Sequence, residues 1–532
     1  MKQALLYAAI LLLAFLPLSA QTTPPPQQQQ PSASAAVPTI RVTSRLVFLD
    51  VTVLDKKGHP VVSGLTRDDF LITEDKKPQR IFSFEPPEVH TLDLHPGAPN
   101  SDGEAPRTIL VLDQLNSSFE DFAYIRYEVH RYLVTRPKEL RSPTELMLIG
   151  NESLQLLQSW TRSREDLLDA LAHIPAVLPY KQMNGSFWIE RLPQSIDALQ
   201  QIALQTQGVS GRKNIIWVGR GMPSLDPVRF PGDELDALQQ YLHQTTNLLV
   251  DSRISLFVIY PGLSVRSFRM PFTTEDADAD LGDDDPFLQG INFGVLTNET
   301  GGKLFYNRND VDQEMGEART LGSKYYTLTY QPNNGNDNGR FRRIRVTLRN
   351  PNLRALTKTG YFAPDSKART APHQQTVAAL SEAVYSTIPL KSVNLFIGNV
   401  VRHPDAQTAQ FTIFIRGTDL DWVNNAGGQP SVDLALAAAS LNRDGKVLAS
   451  RIFFTSATSP LPNPDQLSPY PVRLLLNIRT PPKTRSVRVV VETRPANRIG
   501  SASLDHATLD AAPALPTPEP QLSRTRPTRD TP

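Results

Sequence analysis

An α/β fold, built on a doubly wound and mostly parallel sheet flanked by a small N-terminal β unit and a C-terminal β-sandwich, is predicted by three observations. Between Thr108 and about Ala363, short continuous apolar runs alternate with stretches of helical spacing, the pattern of buried parallel strands covered by helices on both faces. Residues 40–84 instead alternate with period two, and 384–504 hold strand-like runs without helices. The chain has 532 residues, a net charge of +1 and no cysteine. That length suits several domains. The charge balance gives no field for nucleic acid, and the missing thiols exclude disulfides, thiolate metal sites and cysteine nucleophiles.

The elements follow in chain order. Lys2 precedes thirteen apolar residues, Ala4–Leu16, then Pro17 and the small-residue end Leu18-Ser19-Ala20. As a helix that stretch reaches about 20 Å, short of a bilayer core of roughly 30 Å. Residues 1–20 are therefore expected to be a signal peptide cleaved after Ala20, placing the chain in the periplasm or outside the cell with no membrane attachment afterwards. Residues 21–38, with five prolines and five glutamines, read as a linker. The small β unit spans 39–88, with turns at Asp55-Lys56-Lys57-Gly58 and Lys76-Lys77-Pro78, and 89–106 is a second linker.

The α/β domain covers 107–363. Thr108–Leu112 is a buried strand ending in Asp113, and Phe122, Ile125, Val129 and Leu133 mark the helix after it. Strands at Leu146–Gly150, Leu154–Trp160, Asn214–Val218 and Ile254–Tyr260 alternate with helices lined by Leu167 and Leu171, by Leu192, Ile196 and Leu199, and by Leu235, Leu238 and Leu242. Tyr325–Tyr330, Phe341–Leu348 and Leu353–Tyr361 are added strands. Residues 384–504 form the β-sandwich, with turns such as Arg443-Asp444-Gly445-Lys446, and 505–532 is a proline-rich tail expected to be disordered.

Several strings carry a resemblance: VFLDVTVLDKKGHPVVSGLTRDDFLITEDKKPQRIFSFE, TILVLDQLNSS, NETGGKLFY, YYTLTYQP, FRRIRVTLRN and TGYFA, in that order. The set resembles the VWFA-related acidobacterial proteins over roughly residues 39–363. The resemblance implies export, a von Willebrand factor type A-like fold and binding rather than catalysis. A type A domain often holds a divalent metal at the C-terminal edge of its sheet through D-x-S-x-S, a threonine from a later loop and an aspartate after a further strand. Such a site needs hard oxygens around the ion and an open position for a ligand carboxylate.

Here the first loop is Asp113-Gln114-Leu115-Asn116-Ser117. Asp113 and Ser117 match, Leu115 stands where a hydroxyl is required, and Gly219-Arg220-Gly221 stands where threonine–aspartate is required. Thr161 or Ser186 is left to supply the threonine-like oxygen. The expectation is a degenerate site with no bound cofactor, in which Arg220 replaces the missing metal charge by pairing with Asp113. The opposing expectation for Arg220 is a solvated side chain that never meets it. Contact surfaces are expected in the loops beyond the strand ends, with Gln114, Asn116, Arg220 and Trp188 as contact residues. The alternative is a binder in which Asp113, Ser117 and Ser186 hold magnesium or calcium.

Other chemistry is absent from the pattern. The run Glu275–Asp285 has the spacing of calcium ligands at Asp276, Asp278 and Asp280, but Leu281 and Phe287 stand where an EF-hand needs glycine and glutamate. Thr300-Gly301-Gly302-Lys303-Leu304 lacks the phosphate-loop glycine and hydroxyl, and Gly208–Arg212 is no nucleophile elbow. The nine histidines show no metal-ligand spacing. The expected function is an exported, non-catalytic protein–protein or cell-envelope interaction, with a partner that the chain does not name.

Overall fold

The computed structural model describes residues 46–90, 105–174, 185–222, 224–225, 227, 232–261, 285–288, 290–308, 310–364, 372–425, 427–463, 469–494 and 497–516. The side chains of 185–190, 307–308 and 372–375 fall outside that description. The expected signal peptide, the 21–38 linker and nearly all of the acidic run Glu275–Asp285 lie outside the described residues.

The described chain opens with β1 (Val47–Leu54), β2 (Phe70–Glu74), β3 (Lys77–Gln79) and β4 (Ile81–Glu85). The alternating part follows as β5 (Arg107–Asp113), α1 (Phe119–Val134), β6 (Glu139–Ile149), β7 (Leu154–Ser163), α2 (Arg164–Ala172), α3 (Gly185–Thr206), β8 (Lys213–Val218), α4 (Gly232–Asp251), β9 (Ile254–Pro261), α5 (Phe293–Glu299), β10 (Lys303–Arg308) and α6 (Val311–Ser323). Then come β11 (Tyr326–Tyr330), β12 (Phe341–Leu348), β13 (Arg354–Leu356) and β14 (Gly360–Phe362).

Six strands form one sheet in the order β10-β9-β8-β5-β6-β7, parallel except for the edge strand β7. Strand β5 shows why both faces must be covered. Ile109 and Val111 face a core closed by α3, α4 and α5 through Ile196, Leu199, Leu242 and Phe293. Leu110 and Leu112 face a second core closed by α1, α2 and α6 through Ile125, Val129, Leu167 and Met315. A strand buried on both sides has no polar alternation, and that is the run read from the sequence. The chain leaves β5 toward β6 and returns to β8 on its other side. The crevice beyond the ends of β5 and β8 is thus the switch point where such sheets bind ligands.

The expected β unit at 39–88 does not close on itself. β1 pairs with β11 and β13, and β4 pairs with β11; β2 pairs with β12, which also pairs with β14. Two four-stranded antiparallel sheets result, packed on Leu49, Val51, Ile72, Tyr326, Leu328 and Ile344. The strands read as additions to the α/β domain are the other half of this unit. Four short strands alone could not bury a two-sided core, so the chain completes it more than 240 residues later.

A buried polar cluster ties this unit to the central sheet. Arg253, before β9, donates to both carboxylate oxygens of Asp50 on β1 at 3.1 and 2.6 Å. Arg212, before β8, is fully buried. It donates to Ser255 Oγ (2.9 Å), Thr52 Oγ1 (3.0 Å) and the Gly301 carbonyl (3.2 Å). His90 stacks on Tyr325 at 4.3 Å.

The C-terminal part contains α7 (Pro372–Tyr385), β15 (Leu395–His403), β16 (Thr408–Ile415), β17 (Val423–Asn424), β18 (Pro430–Leu441), β19 (Val447–Thr458), β20 (Val472–Arg479), β21 (Ser486–Arg494), β22 (Ile499–Asp505) and α8 (His506–Ala511). The antiparallel sheets β15-β16-β20 and β17-β18-β21-β22, with β19 on β18, enclose a core of Phe411, Ile413, Leu434, Leu436 and Val489. The opposite face of β18 carries Ala435, Ala437 and Ala439, on which α7 lies with Leu380, Ala383 and Val384. The start of the expected disordered tail is instead ordered. Asp505 caps α8, and Ala514 bridges Arg402 on β15. Among the described residues no helix is long and apolar enough to cross a membrane.

Candidate functional site

Asp113 is in phase with Ile109 and Val111, so period two turns its side chain toward α3 at the C-terminal end of β5. It is fully buried. Oδ1 accepts from the Asn116 backbone N–H at 2.9 Å and from Asn116 Nδ2 at 3.2 Å. Oδ2 accepts from Trp217 Nε1 at 3.0 Å and from the Gly221 N–H at 2.8 Å, with Asn116 Nδ2 again at 3.2 Å. Burial pushes the Asp113 carboxyl up from its usual range, and the bonds from Asn116, Trp217 and Gly221 work against that shift.

The loop after β5 is built around this carboxylate. The N–H groups of Gln114 and Leu115 both donate to the Ile149 carbonyl at 3.0 Å. Leu115, the residue in the hydroxyl position, packs into the core beside Ile149 and Trp217. Asn116 Nδ2 also donates to Ser195 Oγ of α3 at 3.1 Å, and Ser118 caps α1 by accepting from the Asp121 N–H. After β8, Gly221 holds φ +68°, and a Cβ there would stand 2.0 Å from the Phe293 ring. Only glycine lets this loop close far enough to aim its N–H at Asp113.

Arg220, for which pairing with Asp113 and a solvated side chain are the two expectations, is half-buried and directed at Tyr260 of β9. Its Nε donates to Tyr260 Oη at 3.1 Å, with the guanidinium 5.9 Å from that ring. Because the loop offers Asp113 the Gly221 backbone, the intervening side chain turns toward β9. Arg191 of α3 is almost fully buried; burial lowers it to about 10, and the charge of Asp113 opposes that shift. Gln114 and Asn116, expected as contact residues, are 4% and 1% exposed. The first exposed residue after that loop is Phe119, at the start of α1, at 51%. Ser117 is buried, and its Oγ and Asn116 Oδ1 have no hydrogen-bond partner. Ser186 and Trp188 lie in the opening turns of α3, with side chains outside the described residues.

Missing from the sequence reading are the bond from Trp217 to Asp113, and the residues Arg191 and Ser195. Parity held a signal for the first. Val111 registers with Trp217 across β5 and β8, so Trp217 shares the face of Asp113. Arg191 and Ser195 depend on how α3 lies over the sheet, which leaves no mark in local spacing. Chemically, the arrangement surrounds one carboxylate with N–H donors. A divalent cation at Asp113 would have to displace at least one of them, and Leu115 offers it no oxygen. Among the described residues no group of three or more His, Cys, Asp or Glu side chains is placed to hold a metal ion.

No protein-family model matches the chain, and no curated protein matches it in sequence. Among solved structures it is similar to the SpRpn10 VWA domain, with 18% identity over 30% of this chain and 77% of that one, at a TM-score of 0.19. It is also similar to the manganese-loaded Plasmodium vivax TRAP protein, with 10% identity over 49% of this chain and 96% of that one, at a TM-score of 0.25.

Proposed function

We propose that this chain is an exported, non-catalytic interaction protein of the VWFA-related kind, which binds a protein or cell-envelope component through the C-terminal edge of its parallel sheet without a resident metal. The observation that carries this reading is the carboxylate of Asp113, both of whose oxygens accept N–H donors from Asn116, Trp217 and Gly221. A carboxylate so occupied serves as an internal clamp that sets the loops after β5 and β8. Export rests on the first twenty residues.

The second reading is a metal-dependent ligand binder using Asp113, Ser117 and Ser186. What favours it is the pair of buried oxygens without a hydrogen-bond partner, Ser117 Oγ and Asn116 Oδ1, since such atoms normally find one. Thermal unfolding separates the two. With EDTA, and then with millimolar magnesium, calcium or manganese, the melting temperature is expected to stay within about 1 °C, because an ion that binds only the folded state must raise it. A rise of several degrees would replace the first reading with the second.

A further inference from the structure

We propose that the cavity between α1, the α1–β6 connection and α6 is a binding site for a small oxoanion, a phosphate or a carboxylate. It lies at the opposite end of β5 from Asp113, encloses about 300 Å³, and has Leu110 among its apolar walls. That volume is at the small end of ligand sites. Three guanidinium groups line it, Arg136, Arg141 and Arg319, and none of its described lining residues is a carboxylate.

Charge balance is the argument. Three nearby arginines have acidic neighbours: Arg131 of α1 bonds Glu128 and Asp312, Arg162 of β7 bonds Glu139, and Arg164 of α2 bonds Glu165, while Arg126 of α1 donates to the Leu171 carbonyl. Among the described residues Arg136, Arg141 and Arg319 pair with no carboxylate, yet they converge on one recess. Like charges gathered beside a low-dielectric wall raise the local potential, and an anion relieves it. Two of the three are also held in place. Arg136 lies 4.7 Å from the centre of the Tyr132 ring and donates through Nη2 to Thr135 Oγ1 at 3.0 Å. Arg319 hydrogen-bonds the Tyr132 hydroxyl, while its Nε is buried without a partner. Arg141 is exposed at the mouth. A planar guanidinium fork matches the paired oxygens of a carboxylate or phosphate, and the buried Nε is the donor such a ligand would satisfy.

Titration calorimetry of the full chain tests this with inorganic phosphate and with benzoate, against potassium chloride at matched ionic strength. The chloride control is needed because phosphate also stabilises proteins by exclusion from their surface. Binding of either anion is expected, weakened about tenfold or more in Arg319→Gln and in Arg141→Gln, each of which removes one charge-assisted contact. Phosphate binding alone would assign a phosphoryl ligand, and benzoate binding alone a carboxylate with an apolar body. No binding heat from either anion at about 20 mM, well above the affinity expected of such a site, would overturn the proposal. So would equal affinities in wild type and in Arg141→Gln, whose exposed side chain can be replaced without disturbing the fold.

Discussion

Replacing Arg212 with methionine is expected to lower the unfolding free energy by about 3–5 kcal/mol, as when one member of a buried charged network is removed. Methionine keeps most of the stem, so the loss isolates the guanidinium. Its three bonds, to Ser255, Thr52 and Gly301, reach three separate segments, and each acceptor would stay buried without that donor. Urea unfolding at neutral pH measures the effect, with Arg220→Met as the half-exposed control at under about 1 kcal/mol. A loss below that size for Arg212 would mean that this cluster does not hold the β1 unit to the sheet.

The same cluster predicts how acid unfolds the protein. His90 is buried, which depresses it to about 4, with Asp50 and Arg253 acting in opposite senses. A histidine held neutral in the fold contributes stability above its unfolded value of 6.5, and loses it as pH falls through 4. Asp50 follows at lower pH. Burial alone would raise it, but Arg253, Arg212 and Thr327 bring it down to about 2. Its contribution is complete above the unfolded value of 3.8 and is lost as pH falls through 2. The losses are about 3 kcal/mol for His90 and about 2 kcal/mol for Asp50. Stability measured from pH 7 to pH 2 should therefore fall in two steps, and Asp50→Asn should abolish the lower one and keep the upper, shifted further down because the charge that raises His90 is gone.

The doubly wound sheet was legible because a strand buried on both faces must be apolar throughout. Ile109, Leu110, Val111 and Leu112 declare this without any knowledge of their neighbours. The pairing of β1 with β11 was not legible, since antiparallel partners can lie at any separation and leave the same period-two pattern. Helix α7 was hidden for another reason. The face of β18 that it covers is alanine, so the contact needs little apolar bulk on either side and gives a weak signal. At the site, the position of Asp113 at the end of its strand could be read from the sequence. What bonds its carboxylate could not, because backbone N–H groups combine there with the indole of another strand. Arginine at position 220 suggested a charge at Asp113, whereas the groups that bond its carboxylate are the N–H donors of Asn116, Trp217 and Gly221.

Asp113→Ala should then be nearly as damaging as the loss of Arg212, and should be so with EDTA present. If Asp113 served only as a metal ligand, removing it from the metal-free protein would relieve a buried anion and cost little. As a clamp it behaves oppositely. Alanine leaves the Trp217 indole N–H, the Gly221 N–H and both Asn116 donors buried without their acceptor. A buried donor without an acceptor costs about 1–3 kcal/mol; for four such donors with partial relaxation a loss of about 3–5 kcal/mol is expected. Asp113→Asn sharpens the test because it keeps the shape. Whichever way its amide turns, an NH2 group meets N–H donors on one side, so it should recover only part of the loss. Trp217→Phe, which removes a single donor and spares the carboxylate, should cost less than either. The order alanine, then asparagine, then the tryptophan variant is the one a donor-filled carboxylate requires; a ligand waiting for a metal would leave all three close to wild type in EDTA.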